Sequence, residues 1–158
     1  MAVDNLPAQG KPSTRRQLQK PKDAQHVLFE NSIFDALKSY GNGKLVRLYY
    51  SICKVDLDPH TQLITVGAWS FMETLTACDG RTGGADFESF LSKQRLASWG
   101  FAGDTTSVRQ AIARIREYGN STKHHPVAGA FNGNQLNNDM ITLKDVLLKC
   151  ISIASGIP

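Results

Sequence analysis

The stretch from Pro59 to Ala77 constrains the fold most. Leu63, Ile64, Val66, Ala68, Trp69, Phe71, Met72 and Leu75 leave almost no polar face around a helix of this length. A helix that is apolar on most sides is stable only when other elements cover it, so the stretch predicts a central helix. Asp56-Leu57-Asp58-Pro59 introduces it. Asp58 is placed to cap, and Pro59 fits the first helical position, where its missing N–H costs nothing. Glu73 is the one acid in the middle of the stretch. A carboxylate there needs a partner or a polar cleft, because an unpaired buried charge is costly.

The flanking segments supply the cover. Val27, Leu28, Ile33, Phe34 and Leu37 predict a helix that breaks near Asn31-Ser32 and stops at Gly41-Asn42-Gly43. Leu45, Leu48, Tyr49 and Ile52 predict a second, from Leu45 to Lys54. The Asn42-Gly43 pair is also a hairpin signal, but its flanks do not alternate as strands do. Asp86 is placed to cap a short helix with Phe87, Phe90 and Leu91 on one face, and Leu96, Trp99 and Phe101 pack at its exit. Thr105 or Thr106 starts a helix with Val108, Ile112, Ile115 and Tyr118 as its apolar stripe. Pro126 to Asn138 reads as a polar loop. Thr142-Leu143-Lys144-Asp145 reads as a capping box that opens a last helix lined by Val146, Leu147, Cys150 and Ile153. The 158 residues, 41% of them apolar, suffice for one domain with a core. The prediction is an all-α bundle of about six helices over residues 23–158.

Charge separates the first residues from the rest. Residues 1–22 carry Lys11, Arg15, Arg16, Lys20 and Lys22 against Asp4, while residues 23–158 carry 13 basic and 13 acidic side chains. The net charge of +4 therefore belongs to the N-terminal segment. That segment is rich in Pro, Gln, Lys and Arg and has few large apolar residues, which predicts a flexible, disordered basic arm. It is either a solvated terminus or linker, or an arm whose cations add nucleic-acid affinity by releasing counterions. The balanced body argues against a strongly basic folded platform. No apolar run reaches the roughly 18 residues of a membrane span. No signal-type stretch opens the chain. A soluble cytoplasmic protein is the expectation.

Metal and nucleotide chemistry find no support. Cys53, Cys78 and Cys150 are far apart and form no Cys-x-x-Cys pair, so each is expected to act as a small apolar residue. Asp79-Gly80-Arg81-Thr82-Gly83-Gly84-Ala85 lacks the Gly-Lys-Ser/Thr ending of a phosphate loop, and no strand precedes it. His124 and His125 are adjacent, so they point apart, and no carboxylate stands four residues from either.

One stretch does concentrate acid–base and phosphate-binding groups: Arg114 to Pro126. Arg116, Asn120 and His124 are four residues apart in turn and form one polar ridge on a helix. Arginine can hold a phosphate by two hydrogen bonds. Histidine can move a proton at neutral pH, and asparagine can orient either. Such a set needs no metal to cut RNA, whose 2′-hydroxyl supplies the nucleophile. The bland account of His124-His125 is a helix C-terminus, where imidazolium faces unsatisfied carbonyls.

Gly119-Asn120-Ser121-Thr122-Lys123-His124, with Leu45 to Tyr50, Phe71-Met72-Glu73 and the closing Asp139-to-Ile153 helix, resembles the HEPN superfamily of small α-helical proteins. The likeness covers roughly residues 30–154 and is to HEPN-like C-terminal domains of bacterial defence and regulatory proteins. RNase members of that family carry an arginine, four to six residues and a histidine on a late helix, often with asparagine after the arginine. Asn120 and His124 match that pattern, and Gly119 stands where the arginine belongs. The resemblance implies a homodimer whose late helices share a cleft, RNA as ligand, and metal-independent cleavage without a cofactor. It assigns His124, Asn120, Arg116 and Glu73 to catalysis, with Glu73 paired to Arg116 or His124. Lys123 joins the arm cations in RNA binding. The departure at Gly119 leaves three readings open. Arg116 takes over the phosphate role, a partner chain supplies the arginine, or the fold survives as a non-catalytic dimerisation or interaction module. A viral or phage structural protein with a basic arm also fits the charge layout.

Overall fold

The computed structural model describes residues 22–126 and 131–156. Among the described residues all regular structure is helical, in eight helices. They are α1 (Asn31–Tyr40), α2 (Gly43–Lys54), α3 (Leu57–Cys78), α4 (Phe87–Phe90), α5 (Lys93–Ser98), α6 (Thr105–His124), α7 (Gly133–Thr142) and α8 (Lys144–Ala154). The basic residues Lys11, Arg15, Arg16 and Lys20, placed by sequence in the arm, lie outside the described residues.

α3 is the hub. α2, α4, α6, α7 and α8 all pack on it, as its apolar circumference requires. Ala68, Phe71, Met72 and Leu75 are fully buried along it, and burying one such large side chain contributes about 1.5–3 kcal/mol. Every other helix adds residues to the same core, from Ile33 and Leu37 of α1 to Val146, Leu147 and Cys150 of α8. Cys53 and Cys150 are buried and Cys78 half-buried, all as free thiols.

The local signals were read well where a cap or a stop decides the boundary. Gly41 takes φ +82° and returns its N–H to Leu37 at 3.1 Å, ending α1. Asn42 then caps α2 by accepting from the N–H groups of Lys44 and Leu45, so Asn42-Gly43 starts a helix and makes no hairpin. Asp86 caps α4 through the Ser89 N–H at 2.8 Å. The start of α6 is fixed by Asp104, which accepts from Thr106 and Ser107.

Four local expectations are corrected. First, residues 22–30 are not helical: they form an extended strap, and the break expected at Asn31 is where α1 begins. Second, Asp58 does not cap α3. Asp58, Pro59 and His60 all depart from helical dihedrals, and they kink the first turn. Third, the loop expected over Pro126 to Asn138 contains most of α7. Asn132 caps it by accepting from Asn134 and Gln135, and Leu136 and Met140, one turn apart, bury its inner side. Fourth, the capping box at Thr142 does not form. The Thr142 hydroxyl donates back to the Asn138 carbonyl at 2.8 Å. The chain reaches this point already helical, with carbonyls on offer one turn behind. The short helix α5 and the helix α7 raise the number from about six to eight among the described residues.

The strap is held by side chains of α7 that act on its backbone. Asn134 accepts from the Ala24 N–H at 2.6 Å and donates to Asp23 at 2.7 Å. Asn137 accepts from the Leu28 N–H at 2.8 Å. Across the strap, Gln25 accepts from the Leu57 N–H at 2.8 Å and His26 pairs with Asp56 at 2.7 Å. Val27 goes into the core between these anchors.

Candidate functional site

α6 positions the sequence-predicted site. Val108, Ala111, Ile112 and Ile115 are buried against the body, and the stripe carries on to Tyr118, whose ring stacks on Phe131 at 4.7 Å between centroids. This fixes the rotation of the helix and with it the polar ridge. Arg116, Asn120 and His124 do share a side. At about 1.5 Å of rise per residue, Arg116 and His124 stand roughly 12 Å apart along the axis, and Arg116 is turned to the acids of α4.

Gly119 has a steric reason for being glycine. A Cβ at this position would lie 2.4 Å from the Cβ of Trp69 on α3 and 2.6 Å from its indole carbons. No real side chain tolerates that approach. The position where the family pattern wants arginine is the contact point of α6 with the central helix, and a guanidinium stem cannot leave it without separating the two.

The other predicted groups are committed elsewhere. Glu73 does not reach Arg116 or His124. Its carboxylate pairs with Arg81, which also donates to the Glu73 carbonyl at 3.0 Å, to the Thr76 hydroxyl at 2.9 Å and to the Ala85 carbonyl. The glycine-rich loop is thus folded back onto α3 by Arg81. Arg116 pairs with Asp86 and has Glu88 at 3.5 Å. Burial raises the Asp86 carboxyl, but the Ser89 N–H and hydroxyl together with Arg116 outweigh it and hold it below its ordinary range.

Sequence reasoning missed the ion pair with the most buried carboxylate among the described residues. Arg114, which lies off the polar ridge, clamps Asp139 of α7 with contacts of 2.6, 3.0 and 3.1 Å, and Gln135 adds a hydrogen bond at 2.9 Å. Asp139 is 2% exposed, and the hydrogen bond and charge of Asp139 hold the Arg114 guanidinium above its ordinary value. The only signal in the sequence was two polar residues 25 positions apart, which is none without the fold.

The last turns of α6 are different. Asn120 is half-buried, and Lys123, His124 and His125 are exposed. None of the four has a carboxylate partner among the described residues. The Lys123 ammonium lies 3.2 Å from the centre of the half-buried Trp69 ring, a cation–π contact. Phe131, stacked on Tyr118 of α6, leads into Gly133, whose α-carbon faces Leu57 and Thr61 at the start of α3. Next to it Asn134 holds Asp23 and Ala24. The exposed Lys22, root of the basic segment, therefore sits at the same end of the bundle as the end of α6. Asp23, Asp56 and Asp58 are at that end too. Asp23 accepts from Asn134, and Asp56 pairs with His26.

The described residues hold no group of three or more His, Cys, Asp or Glu side chains arranged for a metal. None of their helices is long and apolar enough to cross a membrane. Comparison of the chain with protein-family models, curated proteins and solved structures finds no match, so the HEPN resemblance rests on the residues that carry it.

Proposed function

We propose that the chain is a HEPN-like helical module that binds single-stranded RNA at the C-terminal end of α6 and does not cleave it. The observation that carries this reading is the packing of Gly119 on Trp69. It removes the motif arginine, and both Arg116, its substitute within this chain, and the acid Glu73 already have partners. What is left without a counter-charge among the described residues is a set of binding groups on the last turns of α6: Lys123 beside the Trp69 ring, with Asn120, His124 and His125. Aromatic rings and cations together suit unstacked bases and their phosphates. The root of the basic segment at the same end adds Lys22 and, beyond the described residues, Lys11, Arg15, Arg16 and Lys20.

Fluorescence anisotropy with a labelled single-stranded RNA tests this, together with gel analysis of its integrity. Binding without cleavage is expected, weakened several-fold in Lys123→Glu. Deleting residues 1–22 should reduce the slope of log affinity against log salt by about 3–4, five cations at roughly 0.7 each. RNA cleavage that vanishes in His124→Ala would overturn the non-catalytic reading. An affinity indifferent to both changes would remove RNA as the ligand.

Leu63, 65% exposed on the outer side of α3, favours a second reading, a homodimerisation module. Mass measurement over a range of concentrations decides it. A dimer that Leu63→Asp dissociates supports it, and a monomer at every concentration removes it.

A further inference from the structure

Asp79 is the residue that closes α3, where the last carbonyls of the helix set up a negative potential. Both carboxylate oxygens are shielded from solvent, and apart from the weak donor of the Cys150 thiol no hydrogen-bond partner reaches them among the described residues. An ionised carboxylate in such a place is costly, whereas the neutral acid is tolerated and can donate a hydrogen bond.

The groups around it come from four helices. Cys150 on the buried side of α8 faces the carboxylate, and burial together with that carboxylate keeps it a thiol. Arg95 of α5 attracts the carboxylate, but its guanidinium stacks on the Phe90 ring at 3.9 Å and donates to the Phe90 carbonyl at 2.8 Å. It stands in solvent, so its pull on Asp79 is screened. Tyr40 at the end of α1 and Cys78 on α3 are the remaining titratable groups, and neither brings a positive charge. The hydrogen bond to Cys78, then burial, raises the Tyr40 hydroxyl. Burial pushes the Asp79 carboxyl from 3.8 to about 6, against the smaller opposing effects of Cys150 and Arg95.

We propose that the corner where the end of α3 meets α8 is a pH-sensitive latch, closed when Asp79 is protonated and loosened when it ionises. The direction follows from linkage. The folded carboxyl holds its proton at a pH where the unfolded one has lost it. Stability is therefore greatest below the unfolded value of 3.8, falls as pH rises through about 6, and levels off above. A shift of this size corresponds to roughly a hundredfold in the folding equilibrium. In a cell it would soften one corner of the bundle at neutral pH and tighten it under mild acidification.

The test is urea unfolding of the full chain at several pH values, for the wild type and Asp79→Asn. The variant should be the more stable of the two at neutral pH, by up to that hundredfold, and the difference should shrink steadily as the pH is lowered through 6. A variant no more stable than the wild type at neutral pH, or a difference independent of pH, overturns the latch. A 13C NMR titration of the Asp79 carboxyl in the unaltered protein stands independent of how the variant folds. A midpoint near 6 is expected, and one at or below the ordinary 3.8 overturns the proposal.

Discussion

Along α6, the arginines from Arg109 to Arg116 and the polar groups from Asn120 to His125 use similar chemistry to opposite ends. Arg109 donates to the carbonyls of Glu88 and Leu91, Arg114 to Asp139, and Arg116 to Asp86. Arg109 and Arg116 tie α6 to α4 and its two ends, and Arg114 ties it to α7. Asn120, Lys123, His124 and His125 have no acid to answer them among the described residues. The difference lies in the counter-ion rather than in the residue type. A cation whose charge is already balanced gains little from a phosphate, since it must give up one partner to take another.

Breaking the first group should cost the most. Arg114→Ala leaves the Asp139 carboxylate buried with only Gln135, and a stability loss of about 3–5 kcal/mol is expected in urea unfolding. A loss below about 1 kcal/mol would place this pair in the same class as a solvent-exposed one. Gly119→Ala comes next. Forcing a methyl against Trp69 should cost about 1–3 kcal/mol and shift the tryptophan emission, and an unperturbed variant would mean that α6 can slide on α3.

Smaller effects are expected at the surface. Arg116→Ala should lose less than about 1 kcal/mol at neutral pH, because its pair is partly solvated. It should also blunt acid sensitivity. The Asp86 carboxyl is depressed in the fold, so its contribution is complete above the unfolded value of 3.8 and disappears as pH falls through the lower folded value. An acid-unfolding profile followed by circular dichroism, identical in wild type and variant, would show that Ser89 and burial set Asp86 without Arg116. His124→Ala should be smallest, within about 0.5 kcal/mol of wild type. A larger loss would give the histidine a structural partner and erase the contrast between the two halves of the helix.

The same distinction explains what could be read from the sequence. The apolar circumference of α3 announced a central helix, and Gly41 and Asp86 announced a stop and a cap, because each acts on its own chain neighbours. The stripe from Val108 to Ile115 correctly oriented α6, hence the shared side of Arg116, Asn120 and His124. What stayed hidden depends on distant partners. Asp139, at the start of the expected closing helix, has no visible partner until Arg114 faces it, and Glu73 was given to the motif because the return of Arg81 through the glycine-rich loop has no local signature. α7 was hidden by its composition. Its polar residues discouraged a helix, yet Asn134, Asn137 and Asp139 each had tertiary work that two apolar contacts, Leu136 and Met140, were enough to support.

The strap carries a consequence for how the chain folds. Its backbone is bonded to Asn134 and Asn137 across separations of 110 and 109 residues. Closing so long a loop is entropically costly and slow relative to forming α1, α2 and α3 from local contacts. During synthesis the strap emerges first and has to wait for α7, with its N–H groups on water in the meantime. Pulse-labelling by hydrogen exchange should therefore find the Ala24 and Leu28 amides among the last to gain protection, together with the first turns of α7, well after the buried middle of α3.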